Sequence, residues 1–357
     1  MSRRLPPMSN RFVTLIIAGV CVFAALVVAS VVSVPYVALT PGPTLNTLGP
    51  TLSAAGQPEH GNLIEITGRR TYPTTGHLNM VTVSYTGGPG TDFNIFSAIR
   101  AWLTPDDAVV PQSEIYSPGQ SQQQVVKQDT QQMLGSQQDA TAAALCYLNI
   151  KFTAVNSVEA TVKGLPAYGV LRAGDDVTAV DGKPAACNNV VGMVQDRKPG
   201  ARVTLTIDRK GVTKTVTLAT KDEQGVPTLG VDLVPTSYRF PFSIKINLNG
   251  IGGPSAGLMF ALAIIDKLTP DNLTGGRFIA GTGEIEPNGT IQPIGGIQQK
   301  MAGARQAGAT IFLTPASNCS NTTGAVPPGL RLVKVSSLAQ AVTDLRAIRQ
   351  GLSTPSC

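Results

Sequence analysis

The run Gly252-Gly253-Pro254-Ser255-Ala256-Gly257 puts a serine where a strand should turn sharply into a helix. Small neighbours let a substrate backbone approach, and the first N–H groups of a helix lack intrahelical acceptors, so the turn holds the parts of an oxyanion hole. The same residues would equally suit a plain helix N-cap. A serine hydroxyl needs a base to become a nucleophile. The two histidines, His60 and His77, are distant in sequence and sit among ordinary turn and strand residues, so a Ser/His/Asp triad has little support. A lysine can serve instead when burial disfavours its ammonium form and draws its pKa toward neutrality. Lys300 meets that demand. In a helix opening at Gly296, positions 297, 300, 304 and 307 share a face holding Ile297, Lys300, Ala304 and Ala307, while Gln298, Gln299 and Arg305 point elsewhere. Snorkelling, with a covered stem and a wet amine, is the competing account of a lysine in such a stripe. No HExxH, CxxC or Cys/His cluster occurs, and neither a metal nor a cofactor is expected.

The elements that must position these residues alternate between strands and helices. PYVALTPGPT reads as a strand entering a turn, and Asn62 to Thr67 and Leu78 to Tyr85 alternate as strands do. Thr91 to Leu103 has Phe96, Ile99 and Leu103 at helical spacing beside Trp102, and its aromatics are expected in a core rather than in a ligand box. A second helix is expected over Gln131 to Leu148, with Ser136 to Gln138 on its wet face. From Pro227, strands GVDLV and FSIKINL precede the helix SAGLMFALAIIDKL, the strand FIAGTGEI and the hairpin GTIQPIGG. The helix GIQQKMAGARQAG, strands TIFLTP and RLVKV, and a helix SLAQAVTDLRAIR capped by Ser336 or Ser337 complete an α/β (α+β) pattern.

A chain of 357 residues suits two domains and a tail. Lys and Arg outnumber Asp and Glu by 28 to 22, but the excess forms no basic stripe with interleaved aromatics, which argues against nucleic acid as a partner. Phe12 to Val34 is uncharged and would span roughly 34 Å as a helix, enough for a hydrocarbon core of about 30 Å. Arg3, Arg4 and Arg11 precede it and the next charge is Glu59, so the expected topology is a cytoplasmic N-terminus with the rest outside; a cleaved signal peptide is the alternative. Cys21 lies in that segment. Cys146, Cys187, Cys319 and Cys357 would then face a compartment where disulfides persist. Of the three possible pairings, the expected one is Cys319 with Cys357, tying the tail to the loop after IFLTP, and Cys146 with Cys187.

The stretch from about Val158 to Lys221 resembles a bacterial PDZ domain. Gly164-Leu165-Pro166-Ala167, Leu171, Ala173, Gly174-Asp175, Val177, Val180-Asp181-Gly182 and Pro199-Gly200 carry the likeness, and it implies an extended peptide bound by strand addition. An inert spacer is the alternative. The stretches GGPSAGLMFALAI, GTGEI, GTIQPIGGIQQKMAGARQAGA and IFLTPASN, with 45 residues from serine to lysine, resemble the peptidase domain of the Lon family, specifically its ATPase-free, membrane-anchored, PDZ-bearing bacterial members. The resemblance implies Ser255 as nucleophile, Lys300 as general base, Thr282 as the threonine that holds the lysine, Glu284 as an acidic position, and Gly253 and Pro254 as supports. QQMLGSQQDATAAALCYL looks like the family's first peptidase helix, which would make the PDZ unit an insertion. ATP-dependent Lon enzymes usually have Asp where this chain has Gly252, and no GxxxxGK followed by Ser or Thr occurs.

The domain plan expected is therefore a cytoplasmic tail (1–11), a transmembrane helix (12–34), an N-terminal part of the ectodomain that could be the first half of the protease (36–150), a PDZ domain (151–222), a Lon-type catalytic domain (228–350) and a tail (351–357). The expected activity is ATP-independent cleavage of unfolded or extended extracytoplasmic segments. The partners are peptide substrates, a PDZ-bound peptide segment, membrane lipid and, as an option, further copies of the chain. A catalytically silent PDZ adaptor is the competing class. A signal-peptidase-like or penicillin-binding Ser/Lys enzyme lacks its SxxK motif here.

Overall fold

The structure is a computed structural model that describes residues 10–52, 58–188, 190–233, 237–248 and 250–357. The tail expected over 1–11, with Arg3 and Arg4, lies almost wholly outside them, as does the side chain of His60. The chain forms two compact units, residues 1–42 with 83–126 and residues 43–82 with 127–357.

In the first unit, the apolar helix Asn10–Val31 ends before the expected Val34, because Pro35 keeps the preceding residue out of helical geometry. Val34 instead donates its N–H to Phe93 O at 2.8 Å. Among the described residues this is the one helix long and apolar enough to cross a membrane, a property a signal sequence shares. Tyr36–Leu39 pairs antiparallel with Ala108–Pro111. The helix Ile95–Leu103 is capped by Asn94, whose side chain accepts from the Ser97 N–H. Its aromatics are a correction: Phe96 and Trp102, expected in a core, are exposed, as are Ile99 and Leu103. The inward face is Ala98 and Ala101, small enough for the helix to lie against Ala38, Phe93 and Val109, and that choice turns the large side chains outward.

The second unit contains a parallel sheet ordered Arg331–Val335, Ile311–Pro315, Phe278–Gly281 and the part of the strand His77–Gly87 that runs through Thr82. Strand residues alternate between faces. Ile279, Ile311, Leu313 and Val333 pack with the helices Gln122–Tyr147, Gly257–Leu268 and Leu338–Arg349, while Ala280, Phe312 and Leu332 pack with Ile297, Met301 and Ala304 of the helix Ile297–Gln306. All twelve residues of Gly257–Leu268 are buried, as its nearly continuous apolar sequence requires. Each large apolar side chain so covered stabilises the fold by about 1.5–3 kcal/mol.

Two predicted faces need revision. Ser136 is buried, because the side of the long helix carrying Met133, Ser136 and Ala140 is the one pressed on the core. Gln299 is buried too, since Ile297–Gln306 is covered nearly all round through Ala304, whereas Ala307 is exposed beyond the helix end.

A smaller β-rich body sits between Thr153–Val155 and Ser237–Arg239, which pair antiparallel as a ribbon and are bracketed by the contacting rings of Phe152, Tyr238 and Phe240. Its sheet runs Lys183–Pro184, Asp176–Val180, Arg202–Arg209, Val212–Ala219, with the helix Val190–Gln195 alongside. The expected boundary near 227 moves: Val231–Leu233 pairs with Val158–Thr161, and Leu229 is buried in this body's own core. Arg209 grips Asp175 with two hydrogen bonds of 2.7 and 2.6 Å, which assigns that aspartate to scaffolding. Cys146 is paired with Cys187, joining the long helix to this body, and Cys319 with Cys357; the Cα separations are 5.9 and 5.1 Å.

Candidate active site

The helices Gly257–Leu268 and Ile297–Gln306 lie on opposite faces of the sheet and meet at the carboxyl end of Phe278–Gly281, where α/β folds gather ligands. Lys300 Nζ lies 2.8 Å from Ser255 Oγ and 3.4 Å from Thr282 Oγ1. Thr282, the first residue after that strand, donates its hydroxyl to Ser255 O at 2.9 Å, and the Gly283 N–H donates to the same carbonyl at 2.8 Å. Serine backbone, threonine and lysine are thus locked into one cluster. Ser255 does not cap its helix: Ala256 holds the cap position with no side-chain bond, which leaves the serine hydroxyl to the lysine.

Lys300 is 4% exposed, so the snorkelling account fails. Burial alone pulls its pKa from 10.5 to about 7, with no carboxylate partner among the described residues to hold the proton. Gly253 adopts a positive φ of 84° and donates its N–H to Asp129 O at 3.1 Å. Pro254 O accepts from Ser136 Oγ at 2.8 Å. The N–H groups of Gly257 and Leu258 are engaged by Pro254 O and Gly283 O, leaving those of Ser255 and Ala256 as the helix-start donors without an acceptor among the described residues.

Glu284 stands apart. It opens a hairpin opposite Gln292, and no hydrogen bond joins it to Ser255, Lys300 or Thr282 among the described residues. Burial and nearby Glu286 raise its pKa. Asp139, which accepts from Tyr238 Oη at 3.0 Å, is raised to about 6, mainly by burial and further by Glu284 and Glu286. His77 stacks on Phe278 at 4.5 Å between centroids, a packing role. No group of three or more His, Cys, Asp or Glu converges among the described residues.

Sequence reasoning missed Ser136 and Asp129, both on the long helix. Gly252 explains the second. A Cβ there would lie 2.4 Å from Asp129 Cβ, so the glycine makes room for an aspartate supplied by another element. Sequence offered one clue, the absence of a side chain at Gly252.

Residues 250–345 match the family described as the Lon protease (S16) C-terminal proteolytic domain. Lon protease 2 of Bacillus subtilis (strain 168) is 32% identical over 170 residues, covering 44% of this chain and 28% of that protein. Lon protease 1 of Sorangium cellulosum is 38% identical over 103 residues, covering 27% and 12%. The matches thus span less than a third of these relatives. Among solved structures, the PDZ domain of an SdrC-like protein from Listeria monocytogenes is similar at 24% identity, covering 22% of this chain and 87% of that one, with a TM-score of 0.21.

Proposed function

We propose that this chain is an ATP-independent serine endopeptidase using a Ser255/Lys300 dyad, anchored in a membrane by Asn10–Val31 and acting on unfolded or extended segments outside the cytoplasm. The observation that carries it is the contact of a buried, charge-unpaired lysine amine with the serine hydroxyl at 2.8 Å. A neutral amine accepts the Ser255 proton as Oγ attacks the scissile carbonyl carbon. The oxyanion is received by the N–H groups of Ser255 and Ala256. The resulting ammonium protonates the leaving amine, and a water activated by the regenerated amine releases the acyl group. Thr282 takes an N–H of Lys300 and so aims the lysine lone pair at Ser255.

The long helix and the segment from Ile64 share a hydrophobic core with Gly257–Leu268, which supports reading the PDZ-like body as an insertion into a single protease domain. That body has an apolar pocket lined by Leu171, Val177, Val190, Val194, Leu205 and Leu233. It would hold an extended peptide and raise the local concentration of substrate.

A serine-reactive probe tests the dyad against the silent-adaptor reading. Wild type should be labelled at Ser255 and hydrolyse an unstructured reporter; Ser255→Ala and Lys300→Ala should each lose both, and the double variant should lose no more. An unlabelled wild type would favour the adaptor. Replacing the PDZ-like body with a Gly/Ser linker should reduce cleavage of protein substrates far more than of a short reporter, and equal losses would assign it a structural role.

A further inference from the structure

The helix Ile95–Leu103 inverts the usual order of a surface helix. At 100° per residue, Ile95, Phe96, Ile99, Trp102 and Leu103 occupy an arc of about 120°, and this is the arc turned to solvent, with Trp102 75% and Leu103 69% exposed. Only the alanine side packs on the unit's own core. A globular protein ordinarily turns such a stripe inward.

The position of this helix identifies what covers the arc. Its cap, Asn94, donates its Nδ2 to Ser30 O at 2.9 Å, inside the last turn of the apolar helix, and Asn94 and Ser33 form an antiparallel bridge. The Val34 N–H to Phe93 O bond fixes the same junction. The residue that caps the second helix therefore lies within about 5 Å of Ser33, two residues past the end of the first, and bonds its last turn. If the apolar helix spans a bilayer, that point lies in the headgroup layer, which is roughly 5–8 Å deep on each side. We infer that Ile95–Leu103 is an interfacial helix, lying in the outer surface of the membrane with its Ile95/Phe96/Ile99/Trp102/Leu103 arc among the lipid chains' upper segments. This rests on the anchor reading and adds a second contact to it. A tryptophan at one end and Arg100 at the arc's edge suit that layer. The nearby acids Asp92, Asp106 and Asp107 lie in the flanking loops, outside the helix. Five side chains fall well short of the ~20–30 residues a side of a standard protein interface, which argues against a second copy as the occupant.

Trp102 is the chain's one tryptophan and so reports its own surroundings. The test reconstitutes the full chain in phosphatidylcholine vesicles containing lipids brominated either near the headgroup or near the chain end, and follows Trp102 emission. Shallow bromine should quench it several-fold more than deep bromine, and Ile99→Glu should largely abolish the quenching while circular dichroism and melting temperature stay unchanged. Alkaline carbonate extraction of the same vesicles reads the anchor separately. Protein that resists extraction with Trp102 unquenched would overturn the interfacial helix and leave the anchor standing. Extraction together with absent quenching would overturn both. Protection from acrylamide without lipid quenching would mean that protein covers the arc, and would also overturn the proposal.

Discussion

Replacing Lys300 by methionine keeps most of the side chain's volume and removes its amine, and the consequence depends on pH. The folded protein releases the Lys300 proton at about 7 and the unfolded chain at about 10.5. Between those values the unfolded state binds more protons, so wild-type stability rises with pH across this window. Below it the buried ammonium costs its full desolvation. A displacement of this size corresponds to up to about 5 kcal/mol at roughly 1.4 kcal/mol per pH unit. Lys300→Met should therefore be more stable than wild type near pH 6, and the advantage should fade as pH approaches 10.5, less a roughly constant loss from the broken contacts to Ser255 and Thr282. Urea denaturation at a series of pH values measures the difference. The kinetic counterpart is a kcat/KM that rises about tenfold per pH unit below about 7 and then levels off, because only the neutral amine takes the serine proton. A stability difference that does not change with pH, or a kinetic midpoint close to that of free lysine, would refute the buried-base argument.

Thr282→Val, which preserves shape, should lower kcat by roughly tenfold to a hundredfold, the worth of about 1.5–3 kcal/mol for a hydrogen bond to a charged or reacting group, with little change in KM; steady-state kinetics on a reporter peptide checks it. Gly252→Asp should destabilise the fold because its Cβ would overlap Asp129 Cβ, and Asp129→Gly in the same chain should restore the melting temperature. Cys146→Ser with Cys187→Ser opens a 41-residue loop; the chain-entropy relation gives a loss of about 4 kcal/mol, measurable by denaturation under non-reducing conditions.

Much of this was legible in the sequence. The Gly-rich turn, the lysine in an apolar stripe and the order of strands and helices from FSIKINL onward are local patterns, and local patterns survive folding. What stayed hidden depended on distant pairing. Ser136 and Asp129 lie more than a hundred residues before the turn they brace, on a polar-looking helix whose composition gives no sign of which face is pressed inward. Periodicity identified the apolar stripe of Ile95–Leu103 but could not say what it faces, since two alanines sufficed for the local core. The limit of the smaller body was missed for a related reason: Leu229, Val231 and Leu233 continue in sequence the strand pattern of the residues that follow while packing into the smaller core.

The dryness around Lys300 has a consequence for how the proposed activity would fail. Where an oriented histidine or an acidic partner makes the base, modest loosening of the surroundings costs geometry. In the proposed dyad the base depends on the exclusion of water, so hydration of the interior around Lys300 would carry the amine back toward its protonated form while the fold was still intact. Catalysis then acts as a gauge of interior solvation. Heat, pressure or a cavity-forming substitution behind the lysine would silence the serine before unfolding became visible, and substitutions that tighten the interior would widen the pH range in which the enzyme works.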